Sequence, residues 1–562
     1  MNHAAIRRHA LVVTMAVLGS ASLAACTASG TGAAPDRPRT SAAPADLATR
    51  PELSPFYSQK LKWSACGDFQ CAELTVPMDY AHPGTGKTFV LPVAKAVTAD
   101  PDRRIGSLVY NPGGPGQPGV QSLKDGMAES ISKKVRDRFD IVSFDPRGVG
   151  ASSPALTCGD EDTENTEDTE DTEDTEDTED TTSAEQPLYP KTEADRRSVL
   201  AGAQAAADAC RKGSGPLLRH VGTPDAARDM DVLRAALGDQ KLTYIGWSYG
   251  TSLGTSYAEQ FPRRVRALVL DGAIDPSLDW SERTTSQAVG FRRAVDDYAT
   301  HCADIAGDSC PGSTPKEISA LIDGLYKRTE RQPLPVDGDE YGLDATMLLN
   351  AITDSMYTPE DQWQDLSEAL RDAADGDGTK MAALPEEPVT ETEDSQPSGP
   401  AEPSGDPGTG PADGSDQAGD DGGVPADNSE AVLQAVNCLD TPHPRDDQPY
   451  WDALETADKA AGVYGTSGMT SALTCKGWPE GTMKPHKVKA DGVPPVLVVG
   501  TTGDPATPYE EAVSLAGQFP GGMLLTYEGL GHTAYGRSNA CVTNAVDGYL
   551  LGLKKVASGT TC

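Results

Sequence analysis

Short apolar runs alternate with longer stretches of helical spacing along most of the chain. The runs 105–110 (IGSLVY) and 140–144 (DIVSF) are apolar and bounded by Gly, Pro or Asp, as expected for strands buried on both faces. Runs 242–245, 267–270, 496–499 and 523–526 read the same way. Between them, 223–237, 248–260 and 508–519 have helical spacing, with Thr223 placed as an N-cap and Pro224 at the first helical position. Two earlier runs, 74–77 and 89–93, predict an N-terminal hairpin. Strands alternating with helices predict an α/β fold, with a mostly parallel central sheet covered by helices on both faces. From 274 to about 450 there are few strand signals, and stretches such as 286–302 and 362–374 predict a mainly helical region.

Composition changes this picture in two places. The net charge of −38 is concentrated in 160–185, with 15 acidic and no basic residues, and in 381–430, with 13 acidic and no basic residues. The first is a Thr-Glu-Asp repeat and the second is rich in Pro, Gly, Asp and Ser. Neither has an apolar face to bury, so both predict disordered insertions, at about 160–185 and about 376–430. The remainder has no basic patch, which disfavours nucleic acid as a partner.

The N-terminus predicts export. Arg7 and Arg8 precede the apolar run 11–18, which is too short for an ordinary membrane span. The run leads into Leu23-Ala24-Ala25-Cys26, which resembles a bacterial lipobox and implies a lipid anchor at Cys26. Residues 27–53 are rich in Ala, Pro, Thr and Ser and read as a flexible tether. Of the 11 cysteines, Cys26 aside, ten remain, which can all pair in an oxidising compartment. Sequence does not fix their connectivity; the simplest is between neighbours, Cys66 with Cys71, Cys158 with Cys210, Cys302 with Cys310, Cys438 with Cys475 and Cys541 with Cys562. There is no CxxC pair and no HExxH, so no metal is expected.

The chemistry centres on Gly246-Trp247-Ser248-Tyr249-Gly250. The motif sits between a predicted strand and a predicted helix, the setting of a nucleophile elbow. Ser248 is the expected nucleophile, and it needs a base. Of eight histidines, His532 stands in the loop after the last predicted strand and is the expected base. Asp504, after the strand PPVLVVG, is the expected acid; Asp271, at the end of ALVLDG, is its rival. The order Ser248, Asp504, His532 suits this arrangement. Oxyanion donors are expected from the backbone N–H of Tyr249 and from Gly114 or Gly113 in Asn111-Pro112-Gly113-Gly114-Pro115-Gly116. Arg147, in DPRGVG, reads as a structural brace.

These motifs resemble those of the secreted tripeptidyl aminopeptidases of the proline iminopeptidase family, which are α/β-hydrolases. NPGGPG, DPRGVGASSP, GWSYGTSLGTSYAEQFP, VLDGAIDP, GDPATP and GH occur in the family's order. The resemblance covers about 63–312 and about 437–562. It implies a hydrolase core in 54–273 and 451–562, a helical cap in 274–450, and a C-terminal part typical of these peptidases. It implies release of short peptides from free N-termini without a cofactor, with a carboxylate in or under the cap for the substrate amine; Glu282 and Glu360 are candidates. An esterase of the same fold and a non-catalytic peptide-binding lipoprotein are the competing readings.

Overall fold

A computed structural model describes residues 50–159, 187–384, 427–479, 481–557 and 559–562. The export signal, Cys26, residues 27–49 of the tether and most of both acidic stretches lie outside the described residues. The expected tether ends early, since Pro51–Leu53 form a helical turn with Leu53 buried. The second expected insertion starts late, since Thr379–Ala382 is a helix with Met381 buried.

Among the described residues, ten strands form one sheet. In chain order the strands of the molecule are β1 (Ser64–Cys66), β2 (Phe69–Pro77), β3 (Thr88–Ala96), β4 (Gly106–Asn111), β5 (Phe139–Phe144), β6 (Leu242–Trp247), β7 (Val265–Asp271), β8 (Leu334–Val336), β9 (Asp339–Leu343), β10 (Leu497–Gly503), β11 (Met523–Leu530) and β12 (Thr560–Thr561). The sheet order is β1-β2-β3-β5-β4-β6-β7-β10-β11-β12, while β8 and β9 form a separate hairpin. The β1–β2, β2–β3 and β3–β5 pairings are antiparallel, and every pairing from β5 to β12 is parallel. All residues of β4, β5 and β6 are buried, which is why those segments read as short, mostly apolar runs without strict alternation.

The last strands outrun their sequence signal. β10 continues through Thr501, Thr502 and Gly503, and β11 to Leu530, because parallel pairing holds Thr501 opposite Tyr527 and Gly503 opposite Leu530. Two helix starts also differ from expectation. The helix after β6 spans Tyr249–Gln260, and Ser248 stands outside it as the N-cap residue. The helix Thr223–Ala236 begins one residue early behind Gly222; the side chain of Asp440 takes the Thr223 N–H at 2.8 Å, where a cap was expected from Thr223 itself.

One core lies between the sheet and the helix Ala540–Gly552, joining Leu108, Ile245, Val269 and Val499 to Val542 and Leu550. A second core belongs to the helical region and gathers Tyr298, Ile322, Leu348, Trp363 and Leu370. Disulfides join Cys66 to Cys71, Cys158 to Cys210, Cys302 to Cys310, Cys438 to Cys475 and Cys541 to Cys562. Among the described residues, no helix is long and apolar enough to cross a membrane. No group of three or more His, Cys, Asp or Glu among them could hold a metal ion.

Candidate active site

The parallel strands end at one edge, and the site grows from those ends. β6 stops at Trp247, and Ser248 turns the chain with φ 53° and ψ −122°. A non-glycine residue there costs about 1–3 kcal/mol and persists only where its surroundings hold it. The Ser248 N–H donates to the Asp271 carbonyl at 2.9 Å, and the Ser248 carbonyl accepts from Thr251 N at 2.8 Å. The glycines of the motif have steric reasons. A Cβ on Gly246 would stand 2.2 Å from the Gly250 carbonyl oxygen, and one on Gly250 would stand 2.9 Å from that of Asn111. Strand and helix therefore approach closely, leaving Ser248 half-buried at the turn.

His532 follows β11 by way of Gly531. Gly531 has φ +87°, and a Cβ there would meet the Tyr357 carbonyl at 2.7 Å. The His532 N–H donates to that same carbonyl at 2.8 Å. Its Nδ1 lies 2.8 and 3.0 Å from the two oxygens of Asp504. An ionised carboxylate only accepts, so the proton sits on Nδ1 and the Nε2 lone pair is available. Nε2 is buried and has no hydrogen-bond partner among the described residues.

Asp504 is 1% exposed and follows the end of β10. It accepts from the N–H groups of Ala506 at 3.0 Å, Thr507 at 2.8 Å and Thr533 at 3.1 Å. Its rival Asp271 does not meet the imidazole nitrogens. The Asp271 carboxylate accepts from the backbone of Ala534 at 3.1 Å and Tyr535 at 2.7 Å, just beyond the histidine. Burial pushes this carboxyl up to about 6; the Tyr535 and Ala534 N–H groups act in the opposite sense, and the charge of Asp504 adds to the rise.

The NPGGPG loop lies against the elbow. Gly113 has φ +125°, and a Cβ there would be 3.1 Å from Ser248 Cβ and 3.7 Å from Ser248 Oγ. Of the two glycines considered as donors, Gly113 already gives its N–H to Asn111 Oδ1 at 3.2 Å. Gly114 is the better candidate. Tyr249 opens a twelve-residue helix, so its N–H belongs to the first helical turn, which lacks intrahelical acceptors.

Comparison with known proteins agrees with this geometry. Residues 106–305 match the family model described as alpha/beta hydrolase fold, and 461–562 the one described as TAP-like protein. The serine protease Hip1 of Mycobacterium tuberculosis is 34% identical over 535 residues, covering 90% of this chain and 92% of that protein. The chain belongs to the TAP-like family of α/β-hydrolases. The tripeptidyl aminopeptidase of Streptomyces lividans is 31% identical and matches over 89% of this chain and 84% of its own. Carboxylesterase B of M. tuberculosis is 32% identical, at 89% coverage of both. The protein is a serine hydrolase of this fold.

Several groups around the site of this TAP-like hydrolase have no local sequence signal. Tyr357, from the helical region, packs edge-on against the His532 ring, with centroids 5.2 Å apart. Arg537 donates from Nε to the carbonyls of His532 at 2.9 Å and Thr533 at 3.2 Å, and also binds that of Leu530. Its Nη1 reaches Glu360 at 2.7 Å, so that carboxylate is already paired. Glu282 accepts the Asp279 N–H at 3.0 Å in a capping box. Arg147 is buried between Asp229, at 2.6 Å, and the carbonyls of Pro77, Met78 and His220, which is a bracing position. An open cleft of about 800 Å³ is lined by Trp280, Val289, Pro444 and Pro508, beside the loop that follows Asp504; Ser248 and His532 do not line it.

Proposed function

We propose that the protein is an exported serine peptidase that releases short peptides, tripeptides in the first instance, from free N-termini. The observation that carries the catalytic part is the Asp504–His532 pair with its unpartnered Nε2, set at the strand ends beside a strained Ser248. Ser248 Oγ attacks the scissile carbonyl carbon, and His532 Nε2 takes its proton. The tetrahedral oxyanion faces the N–H groups of Tyr249 and Gly114. The C–N bond breaks as the imidazolium returns the proton to the leaving amine. Water, deprotonated by the same nitrogen, then releases the acyl group and restores Ser248. No cofactor takes part in these steps.

The peptide class rests on the relatives named tripeptidyl aminopeptidase and serine protease. The relative named carboxylesterase B supports a second reading, an esterase, which would use the same acyl-enzyme. Turnover of chromogenic tripeptide amides with a free amine, against short acyl esters, separates them. Ester turnover with no cleavage of any free-amine amide refutes the peptidase. Labelling by a fluorophosphonate, lost in Ser248→Ala, excludes the non-catalytic binder.

Export is supported by the N-terminal pattern and by five disulfides, which persist in oxidising compartments. Anchoring through a lipid on Cys26 predicts a mature protein that begins at Cys26 and carries acyl chains. An unmodified N-terminus at Thr27 or later, found by mass spectrometry, contradicts it.

A further inference from the structure

We infer that Asp271 is a positioning residue of the hydrolytic reaction, fixing the loop that carries His532 against the elbow that carries Ser248. The inference rests on the reading of those two residues as base and nucleophile. Asp271 ends β7 and reaches both pieces at once. Its carbonyl takes the Ser248 N–H, and its carboxylate takes the N–H groups of Ala534 and Tyr535. The next residue, Gly272, has φ +69°, and a Cβ there would stand 3.1 Å from His532 Cε1, so the imidazole rests on bare backbone. Trp247, on the other side of Ser248, adds a second tie: its Nε1 donates to the Tyr535 carbonyl at 3.3 Å, and the two rings stack at 6.5 Å.

The loop needs such ties. Thr533, directly after His532, is a β-branched residue at φ +63°. Strained backbone of this kind survives only where its neighbours over-determine it. Asp504 holds the Thr533 N–H, and Asp271 holds the next two. A neutral side chain could serve a turn alone. A buried carboxylate adds a negative charge near the imidazole, and the charged groups that face it are Asp504 and His532. The charge of His532 acts to lower the Asp271 carboxyl, so carboxylate and imidazolium attract each other across the loop.

The experiment measures the rate constant of fluorophosphonate labelling from pH 4.5 to 8.5 for the wild-type protein, Asp271→Asn and Asp271→Ser. Labelling reports reaction at the serine whatever the natural substrate is. Either variant that retains a cooperative thermal transition is expected to label about 10- to 100-fold more slowly at pH 7.5, with its acid limb displaced to lower pH. Wild-type labelling with an unmoved limb overturns the inference. Slow labelling with an unmoved limb does so too, because a residue that merely supports the fold does not alter the proton affinity of His532. Labelling that survives Ser248→Ala overturns instead the assignment of Ser248.

Discussion

Replacing Asp504 by asparagine tests the assignment of the acid, and the structure indicates which way the amide turns. Oδ1 of Asp504 accepts from Ala506 and Thr507, while Oδ2 accepts from Thr533. Both oxygens share the His532 Nδ1 proton. An asparagine oxygen in the Oδ1 position keeps two backbone bonds, against one in the Oδ2 position, a preference of about 1 kcal/mol. The amide nitrogen then faces Thr533 N–H and Nδ1. Nδ1–H keeps only a neutral oxygen at the Oδ1 position, 2.8 Å away, an amide N–H crowds it where Oδ2 stood at 3.0 Å, and the negative charge that stabilises the imidazolium formed in the reaction is gone. The cost is about 10³- to 10⁴-fold in kcat, or about 4–5.5 kcal/mol of barrier, with KM little changed. The part-buried Thr533 N–H, left without an acceptor, costs a further ~1 kcal/mol of stability. Initial rates on a free-amine peptide amide, or on an ester if that is the substrate, give kcat and KM. If Asp504→Asn keeps activity within tenfold of the wild type while Asp271→Asn loses a thousandfold, Asp271 is the acid and the reasoning fails.

Other outcomes follow from single contacts. Gly116→Ala would set a Cβ 2.4 Å from the Ser429 carbonyl at φ +107°, so it should lower both melting temperature and labelling rate; Gly84→Ala, with open space around it, is the neutral control. The Asp271 carboxyl is raised in the fold from 3.8 to about 6, so its contribution to stability is fully present below 3.8 and is lost as pH rises through 6. The difference is about 3 kcal/mol, and denaturant titrations should show Asp271→Asn gaining on the wild type between pH 4.5 and 7.5; a constant difference contradicts this. Arg537→Ala frees three carbonyls of the His532 loop and should reduce kcat, whereas Glu360→Gln removes only a half-exposed ion pair of about 0–1 kcal/mol and should change turnover less than twofold. Equal effects in the two variants would mean that the ion pair, not the carbonyl contacts, holds the loop.

What could be read in the sequence was whatever local pattern records. The strand–turn–helix around Ser248 was legible because close packing demands Gly246 and Gly250, and because a strand buried on both faces leaves a short, mostly apolar run. Asp504 and His532 were legible from their places directly after such strands. Contacts between a backbone group and a distant side chain leave no such record. The bonds from Ala534 and Tyr535 to Asp271 place a residue that looked like a rival acid against the loop beside His532 instead. Asn111 takes up the Gly113 N–H through its side chain, so two glycines that looked equivalent in sequence differ in space. The extra length of β10 and β11 came from pairing with each other, which propensity at Thr501–Gly503 does not express.

The sheet order has a consequence for how the enzyme comes into being. β10 and β11 lie outward of β7 at one end of the sheet, and β12 closes that end with Cys562 linked to Cys541. Asp271 and Tyr535, which meet in the finished protein, are 264 positions apart in the chain. A chain delivered N-terminus first therefore presents its serine long before the residues that activate it. Until β10 and β11 pair beside β7, Ser248 stands without the Asp504–His532 pair proposed to activate it. A product truncated ahead of β10 would carry Ser248 but neither Asp504 nor His532.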